Sequence, residues 1–249
     1  MMAGDDADTL SSDLSSADIL RLLTTEDPSE IARLYRSADR VRARYAGDAL
    51  HVRALLNISN HCIRNCLYCG LRRDNSRLMR YRMAPEEIIA AALSAAREGY
   101  RTIVLQSGED PYYSEDVVRR IIARIKSQCD SALTLSFGER PYRTLKAWFR
   151  EGADRYLLKH ETSDPVLYAQ LHPDLRYEHR IATLKNLKEI GYQTGSGIMI
   201  GLPGQTYKSV AEDILLFKEL DVDMIGCGPF IYNPSTPLDR TTPDRHAYI

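Results

Sequence analysis

The sequence lacks the features that mark secreted and membrane-spanning proteins. Its first twenty residues contain no Lys or Arg, so they lack the cationic start of a signal peptide. No apolar stretch is long enough to indicate a membrane span. The net charge is only −1 over 249 residues, which excludes a strong field favouring nucleic acid or an anionic membrane. We therefore expect a soluble globular protein with neither of these partners.

Cysteine is also scarce, and the spacing of the five cysteines does not indicate a disulfide framework. Three of them are crowded into eight positions: Cys62, Cys66 and Cys69. Cys129 and Cys227 are isolated, and we expect each to be a small packing residue, because free cysteine is often buried. This usage predicts a reduced, cytoplasmic protein.

Apolar periodicity divides the chain at about residue 50. Residues 1–50 carry an acidic start and two helical patterns, near 15–24 and 28–46, and we predict an N-terminal helical segment there. From residue 51 onward, short apolar runs alternate with helical patterns, which predicts one α/β domain over 51–249. The predicted strands are 54–58, 102–106, 132–136, 155–159, 197–200 and 223–227, and the helices lie near 85–98, 114–128, 141–150, 178–190 and 206–220.

Strict strand–helix alternation predicts a parallel sheet with right-handed crossovers. It leaves two architectures open, a doubly wound sheet and a (β/α)8 barrel. A full barrel needs roughly 250 residues for its eight units, and this chain begins its first strand only near residue 54 and shows six strands. We expect either an incomplete barrel or a fragment whose C-terminal units are missing, and favour the fragment because an open barrel exposes a sheet edge.

The unusual residues of the α/β region all follow predicted strands. The cysteine triplet follows the first strand. Polar or glycine-containing segments follow the next five: 106–109, 136–139, 160–161, 201–206 and 228–230. Because the carboxyl ends of barrel strands carry the active site, these segments predict one shared pocket.

The cysteine spacing, with three residues and then two between the thiols, indicates a compact cluster. Three thiolates are one short of the set for a four-iron cubane, so one iron stays open to a substrate. The alternative is zinc, which in structural sites takes four ligands, commonly as two separated pairs. No second pair is present, and His61 adjoins Cys62 too closely to be a good fourth ligand. The pattern favours iron and sulfur.

Four segments in order, 60–75, 105–113, 153–162 and 201–206, resemble the radical S-adenosylmethionine (SAM) superfamily, and within it the biotin synthase-like group and the [FeFe]-hydrogenase maturase family HydE. The resemblance implies a TIM-type (β/α) barrel, here with about six of eight strands. It also implies a [4Fe-4S] cluster that reductively cleaves SAM to a 5′-deoxyadenosyl radical. The implied role is hydrogenase maturation, in assembly of the di-iron and dithiomethylamine parts of the H-cluster.

The resemblance assigns roles residue by residue. The cluster ligands are Cys62, Cys66 and Cys69. The SAM contacts are Tyr68 near the adenine, Ser107 and Glu109 near the amino group, Glu161 and Arg180. The barrel-interior positions that face the second substrate are Thr134, Ser136, Arg155 and Lys159. Lys159 stands where the resemblance implies an Arg. The positive charge is kept, but the paired N–H donors of a guanidinium group are lost.

Several of these residues also have plain structural interpretations. Glu109 is placed to cap the next helix, and Arg180 to be a solvated charge on a helix surface. Residues 201–204 suit a tight turn, with Thr206 as the helix N-cap. The shared position at strand ends favours function for Glu109, Glu161 and Arg180, and less strongly for Ser136.

Three functions remain open from the sequence. The first is a HydE-like enzyme that acts on a small iron–cysteine precursor, together with an external electron donor and other hydrogenase maturases. The second is another biotin synthase-like enzyme, such as a methylornithine synthase, that acts on an amino acid. The third is a non-catalytic homologue that only binds an iron–sulfur cluster.

Overall fold

The computed structural model describes residue 10 and residues 13–238. The acidic start over residues 1–9, and residues 239–249, lie outside the described part. The helices are α1 Ser16–Thr24, α2 Pro28–Tyr45, α3 Pro85–Arg97, α4 Glu115–Lys126, α5 Tyr142–Arg150, α6 Pro165–Leu171, α7 Tyr177–Ile190 and α8 Tyr207–Glu219. The strands are β1 Ala54–Ser59, β2 Thr102–Ser107, β3 Ala132–Ser136, β4 Arg155–Leu157, β5 Gln193–Ile200 and β6 Met224–Pro229.

The six strands form one parallel sheet in the order β1-β2-β3-β4-β5-β6. A doubly wound sheet reverses its strand order at a switch point, whereas a (β/α) barrel adds each strand beside the last. The sequential order therefore decides between the two architectures and confirms the predicted partial barrel. Within residues 13–238, β1 pairs only with β2 and β6 only with β5.

The main core lies between this sheet and the helices α3, α4, α5 and α7. Helix α3 shows how the local sequence builds that layer. Pro85 opens the helix, and Glu87 folds back so that its Oε2 accepts the Ala84 N–H at 2.6 Å. Ile88 and Ala92 then point into the core with no exposed surface. Such faces cover the outer side of the sheet and leave its inner side to line the barrel.

Helix α1 packs on the outside of this layer, and α2 contacts α1. Helix α1 lies against α8, where Ser16 Oγ donates to Glu212 Oε1 at 2.7 Å. None of the helices within residues 13–238 is long and apolar enough to cross a membrane. The boundary near residue 50 stays a prediction.

Most predicted elements are confirmed within a few residues, with two differences among the elements and one at a cysteine. Helix α6 was not predicted, and β5 begins at Gln193, four residues before the predicted start. The prediction for Cys227 was wrong, since this thiol is exposed on the edge strand β6, while Cys129 is half-buried.

Candidate active site at the carboxyl ends of the strands

The cysteine loop leaves the carboxyl end of β1 and is fixed by its neighbours. Its three thiols are all half-buried: Cys62, Cys66 and Cys69. Ile63 N donates to Glu109 O at 3.0 Å, which ties the loop to the end of β2. Leu67 N donates to Leu171 O at 2.9 Å, which ties it to the end of α6. The backbone that carries the thiols is thus held from both sides.

Gly108 makes the first of these contacts possible. A Cβ atom at this position would clash with the carbonyl oxygen of His61 and would lie 2.6 Å from Cys62 Cβ. The absence of a side chain therefore lets the loop lie directly on the end of β2.

Burial governs the protonation of the three thiols. It raises the pKa of Cys62 and Cys69, and it raises the pKa of Cys66 to about 12, with a further contribution from the Cys69 thiol. Metal ligation requires thiolates, so cation binding must ionise these sulfurs. Among the described residues, no three His, Cys, Asp or Glu side chains converge on a single metal ion. A cubane offers each thiolate a separate iron and does not require such convergence.

A chain of buried polar contacts crosses the mouth of the barrel beside this loop. Arg64 Nε lies 2.5 Å from Glu109 Oε2, and the other oxygen of Glu109 accepts the Glu139 N–H at 3.0 Å. Glu139 Oε1 in turn lies 2.7 Å from Arg180 Nε. Arg180 Nη1 ends the chain by donating to the carbonyl of Lys159 at 2.6 Å. We call these five residues the mouth network.

The mouth network overturns two of the plain structural interpretations. Helix α4 is capped by Ser114, whose side chain accepts the Val117 N–H, so Glu109 is not its cap. Arg180 is only 7% exposed and is not a solvated surface charge. The interpretation of residues 201–206 as a turn and cap is confirmed, because Thr206 accepts the Ser209 N–H at the start of α8.

Glu161, just after β4, is the most unusual residue of the site. Its backbone is left-handed, with φ of 67°, and its N–H donates to Gly197 O at 3.0 Å. Its side chain is buried, and Oε2 has no hydrogen-bond partner in the described part of the chain. Burial raises the pKa of Glu161 to about 7, although the nearby charges of Lys159 and Arg180 lower it. A buried, unpartnered acceptor on strained backbone is typical of a ligand site.

Tyr68, on the cysteine loop, is held by a histidine. Its hydroxyl lies 2.9 Å from His172 Nε2, and the other ring nitrogen of His172 lies 2.9 Å from the carbonyl oxygen of Tyr168. Because a carbonyl only accepts, Nδ1 carries the proton and the Tyr68 hydroxyl donates to Nε2. Burial lowers the pKa of His172 to about 4, which keeps the ring neutral at pH 7. The Tyr168 ring stacks on His172 at 4.0 Å.

The remaining predicted positions lie on β2 and β3. Ser107 ends β2, and its hydroxyl donates to Gly108 O at 2.6 Å. Thr134 and Ser136 alternate with Leu133 and Leu135, which belong to the outer core, so both face the barrel interior. Ser136 lies at the same end of the sheet as the cysteine loop, and Thr134 lies two residues deeper.

Lys159 and Arg155 lie at opposite ends of the barrel interior. The alkyl chain of Lys159 runs past Gly197 and Gly226 of β5 and β6, where added Cβ atoms would lie 3.1 and 3.6 Å from it. Arg155 opens β4, donating to Gln193 at 2.5 Å and to Thr102 at 2.9 Å. It lines a cavity of about 410 Å³ at the amino ends of the strands. The structure thus places Lys159 beside the site and Arg155 far from the cysteine loop.

Sequence reasoning assigned no role to three residues that hold the site together. These are Arg64, Glu139 and His172. Glu139 follows β3, so its strand-end position was a usable signal. Arg64 pairs with Glu109, 45 residues away, and His172 pairs with Tyr68, 104 residues away. A single sequence does not reveal such distant pairings.

Comparison with known proteins agrees with this geometry. The family model of the radical SAM superfamily matches residues 56–217. The hydrogenase maturase subunit HydE of Thermotoga maritima is 54% identical over 205 residues, which cover 82% of this chain and 59% of that protein. The 3-methylornithine synthase of Methanosarcina acetivorans is 31% identical over 91% of this chain and 65% of its own length. The chain thus spans about 60% of the length of these relatives.

Solved structures show the same fold. The crystal structure of a methylornithine synthase superposes with a TM-score of 0.84 at 27% identity, covering 90% of this chain and 67% of that one. The hydrogenase maturase HydG from Carboxydothermus hydrogenoformans gives a TM-score of 0.80 at 22% identity, covering 91% of this chain and 55% of that one, which bears on the fold alone. With its cysteine loop at the mouth of a partial barrel, this chain belongs to the radical SAM superfamily, in the biotin synthase-like group.

Proposed function

We propose that this chain binds a [4Fe-4S] cluster and S-adenosylmethionine at the mouth of its barrel, and that it is a HydE-like radical SAM enzyme. The observation that carries the proposal is the buried Glu161 carboxyl group beside the cysteine loop, with one oxygen unpartnered among the described residues. Three thiols provide the soft ligands that an iron–sulfur cluster requires. The donor set and the open acceptor both fit the implied groups.

Each predicted residue has a part in this proposal. The cluster would be held by Cys62, Cys66 and Cys69. SAM would contact Tyr68, Ser107, Glu109, Glu161 and Arg180. The chemistry that these two groups would supply when bound is a one-electron cleavage of SAM, at the expense of the reduced cluster, to methionine and a 5′-deoxyadenosyl radical.

The protein's own residues then orient and enclose the reactants. Glu161 offers an acceptor for a ribose hydroxyl, and the mouth network holds Glu109 and Arg180 in fixed positions. The glycines of β5 and β6 leave interior space into which Lys159 carries a positive charge. Thr134 and Ser136 would line the path of the second substrate deeper in the barrel, and Arg155 would lie at the far end of the interior, away from the cysteine loop. Burial of Glu109, Thr134, Glu161 and Arg180 would keep water away from a reactive radical.

The second substrate is proposed from the relationship to HydE. It would be a small iron–cysteine precursor, in a step of [FeFe]-hydrogenase maturation that works with an external electron donor and other maturases. A reduced, cytoplasmic setting belongs to this proposal because free thiols must persist until the cluster is loaded.

The test is SAM cleavage by the full chain after anaerobic reconstitution with iron and sulfide. We expect reductant-dependent formation of 5′-deoxyadenosine by the wild type and its loss in Cys66→Ser. Cys129→Ser is the matched control and should leave it unchanged, because Cys129 is half-buried away from the loop. A wild type that binds the cluster yet forms no 5′-deoxyadenosine would support the non-catalytic alternative instead.

The second candidate is an enzyme that acts on an amino acid. It is favoured by the 31% identity to a 3-methylornithine synthase over 91% of this chain. Incubation of the reduced, reconstituted chain with SAM and lysine separates the two candidates. Formation of methylornithine would replace the HydE-like proposal, whereas consumption of an iron–cysteine precursor without methylornithine would support it.

A further inference from the structure

Next to Glu161, between the sheet and helix α8, lies a fully buried cluster of three polar side chains. It consists of Ser196 on β5, His160 on the segment after β4, and Asp213 on α8, all with no exposed surface. We call it the Ser–His–Asp cluster. His160 directly precedes Glu161, so whatever fixes the histidine also fixes the backbone of the glutamate.

On the β5 side, the hydroxyl of Ser196 joins three atoms of the segment after β4. It lies 3.1 Å from Leu158 O, which can only accept, so the hydroxyl donates there. Its oxygen then accepts the His160 N–H at 3.3 Å and faces His160 Nδ1 at 2.9 Å. One side chain therefore sets both the backbone and the ring of His160.

On the α8 side, the ring faces a carboxylate and packs against an aromatic residue. His160 Nε2 lies 3.5 Å from Asp213 Oδ1 but has no hydrogen-bond partner in the described part of the chain, whereas that oxygen accepts the N–H of Ser163. Phe217 packs edge-on against the ring, with centroids 5.1 Å apart. The segment from Leu158 to Ser163 is thus anchored at both ends, with Glu161 between the anchors.

The order of the three side chains is that of a hydrolase triad, but the geometry excludes that chemistry. Ser196 has no exposed surface, and its hydroxyl proton is donated to a backbone carbonyl. A nucleophile must reach its substrate and pass its proton to the histidine. The cluster is therefore an anchor.

Glu161 needs an anchor of this kind. A non-glycine residue in the left-handed region is strained and persists only where its surroundings hold it. The bond from Glu161 N to Gly197 O fixes one end of the residue, and the Ser–His–Asp cluster fixes the residue before it. Without the cluster, Glu161 would be free to relax and turn its carboxyl group away from the ligand.

We infer that His160, held by Ser196, is a positioning residue that sets Glu161 for binding S-adenosylmethionine, with Asp213 anchoring the Ser163 end of the same segment. The inference rests on the proposed function. The three buried residues of the cluster face the helix layer and do not touch the ligand. They contribute to SAM affinity only by fixing the position of Glu161.

The test measures the dissociation constant for SAM by anaerobic titration of the reconstituted full chain. His160→Phe keeps a ring against Phe217 and removes the hydrogen bond between Nδ1 and Ser196, and we expect it to raise the dissociation constant about tenfold. In the Glu161→Gln background the same change should have an effect of less than about twofold, because coupled residues are not additive. His160→Asn, whose amide can replace Nδ1 opposite Ser196, should recover part of the affinity.

The controls separate positioning from loss of fold. Thr144→Val removes a buried hydrogen bond to Glu115 in the helix layer and should leave SAM affinity unchanged. Iron content and thermal unfolding are measured for each variant, and Ser196→Ala replaces His160→Phe if that variant does not fold. Equal loss of affinity in both backgrounds, or unchanged affinity in folded variants, would overturn the inference. A wild type that does not bind SAM at all would instead overturn the proposed function.

Discussion

At the scale of single residues, Glu161 concentrates two unfavourable features. Its carboxyl group is buried with an open oxygen among the described residues, and its backbone is left-handed. Each feature alone lowers stability, and a protein keeps such features where they serve a ligand. The raised pKa of Glu161 makes this cost measurable.

The first prediction concerns the pH dependence of stability without SAM. Burial raises the pKa of folded Glu161 to about 7, from an ordinary value of 4.5. Between these values the folded chain keeps a proton that the unfolded chain loses, so the unfolding free energy falls as pH rises. Glu161→Gln cannot titrate in this way. The unfolding free energy of the variant minus that of the wild type should therefore be about 3 kcal/mol larger at pH 8 than at pH 4, as measured by urea unfolding. An equal difference at both pH values would contradict it.

The second prediction concerns His172, whose Nε2 accepts a hydrogen bond from the Tyr68 hydroxyl. His172→Phe keeps the stacking on Tyr168 but removes the bond from Nδ1 to Tyr168 O and leaves the half-buried Tyr68 hydroxyl without an acceptor, which should lower the unfolding free energy by about 1–3 kcal/mol. The double variant Tyr68→Phe/His172→Phe removes both partners of the Tyr68 bond and should recover the part of the loss that comes from the unpaired hydroxyl. Denaturant unfolding of all three chains measures this, and Tyr112→Phe, on an exposed ring, is the control. No recovery in the double variant would show that the bond is not responsible.

At the scale of elements, the glycine after β2 lets the cysteine loop rest on the sheet. We predict that Gly108→Ala pushes the loop away from β2, because the new methyl group would overlap His61 O and Cys62 Cβ. The expected result is a marked fall in iron bound per chain after reconstitution. Gly228→Ala, on β6 with open space around the new methyl group, should bind iron like the wild type. Equal iron content in both variants would refute the packing argument.

The elements themselves were largely predictable because apolar periodicity reports burial directly. Helix α3 begins at Pro85 and β3 spans Ala132–Ser136, as predicted. Helix α6 was missed because its seven residues are too short for a helical period to stand out. The first half of β5, from Gln193 to Ser196, was missed because polar residues and glycine hide a strand. Pairing with β4 makes it one, with Arg155 opposite Gln193.

At the scale of the whole molecule, the mouth network joins parts of the chain that are distant in sequence. It links the cysteine loop, the ends of β2, β3 and β4, and helix α7. The sequence placed most of these residues at one end of the sheet, because parallel strands share a carboxyl edge. Which carboxylate meets which guanidinium depends on side-chain packing, so the pairing of Glu139 with Arg180 had to come from the structure.

The final prediction separates what Arg180 does for the fold from what it does for the ligand. Arg180→Met leaves the Glu139 carboxylate buried without its cation, which should lower the unfolding free energy by about 3–5 kcal/mol. Arg180→Met/Glu139→Leu replaces the pair with apolar side chains and should recover most of that loss. If Arg180 also contacts SAM, the double variant should fold and load iron yet bind SAM much more weakly than the wild type. Wild-type SAM affinity in this stable double variant would show that Arg180 only supports the fold, because the pair of Glu139 and Arg180 would then be dispensable for binding.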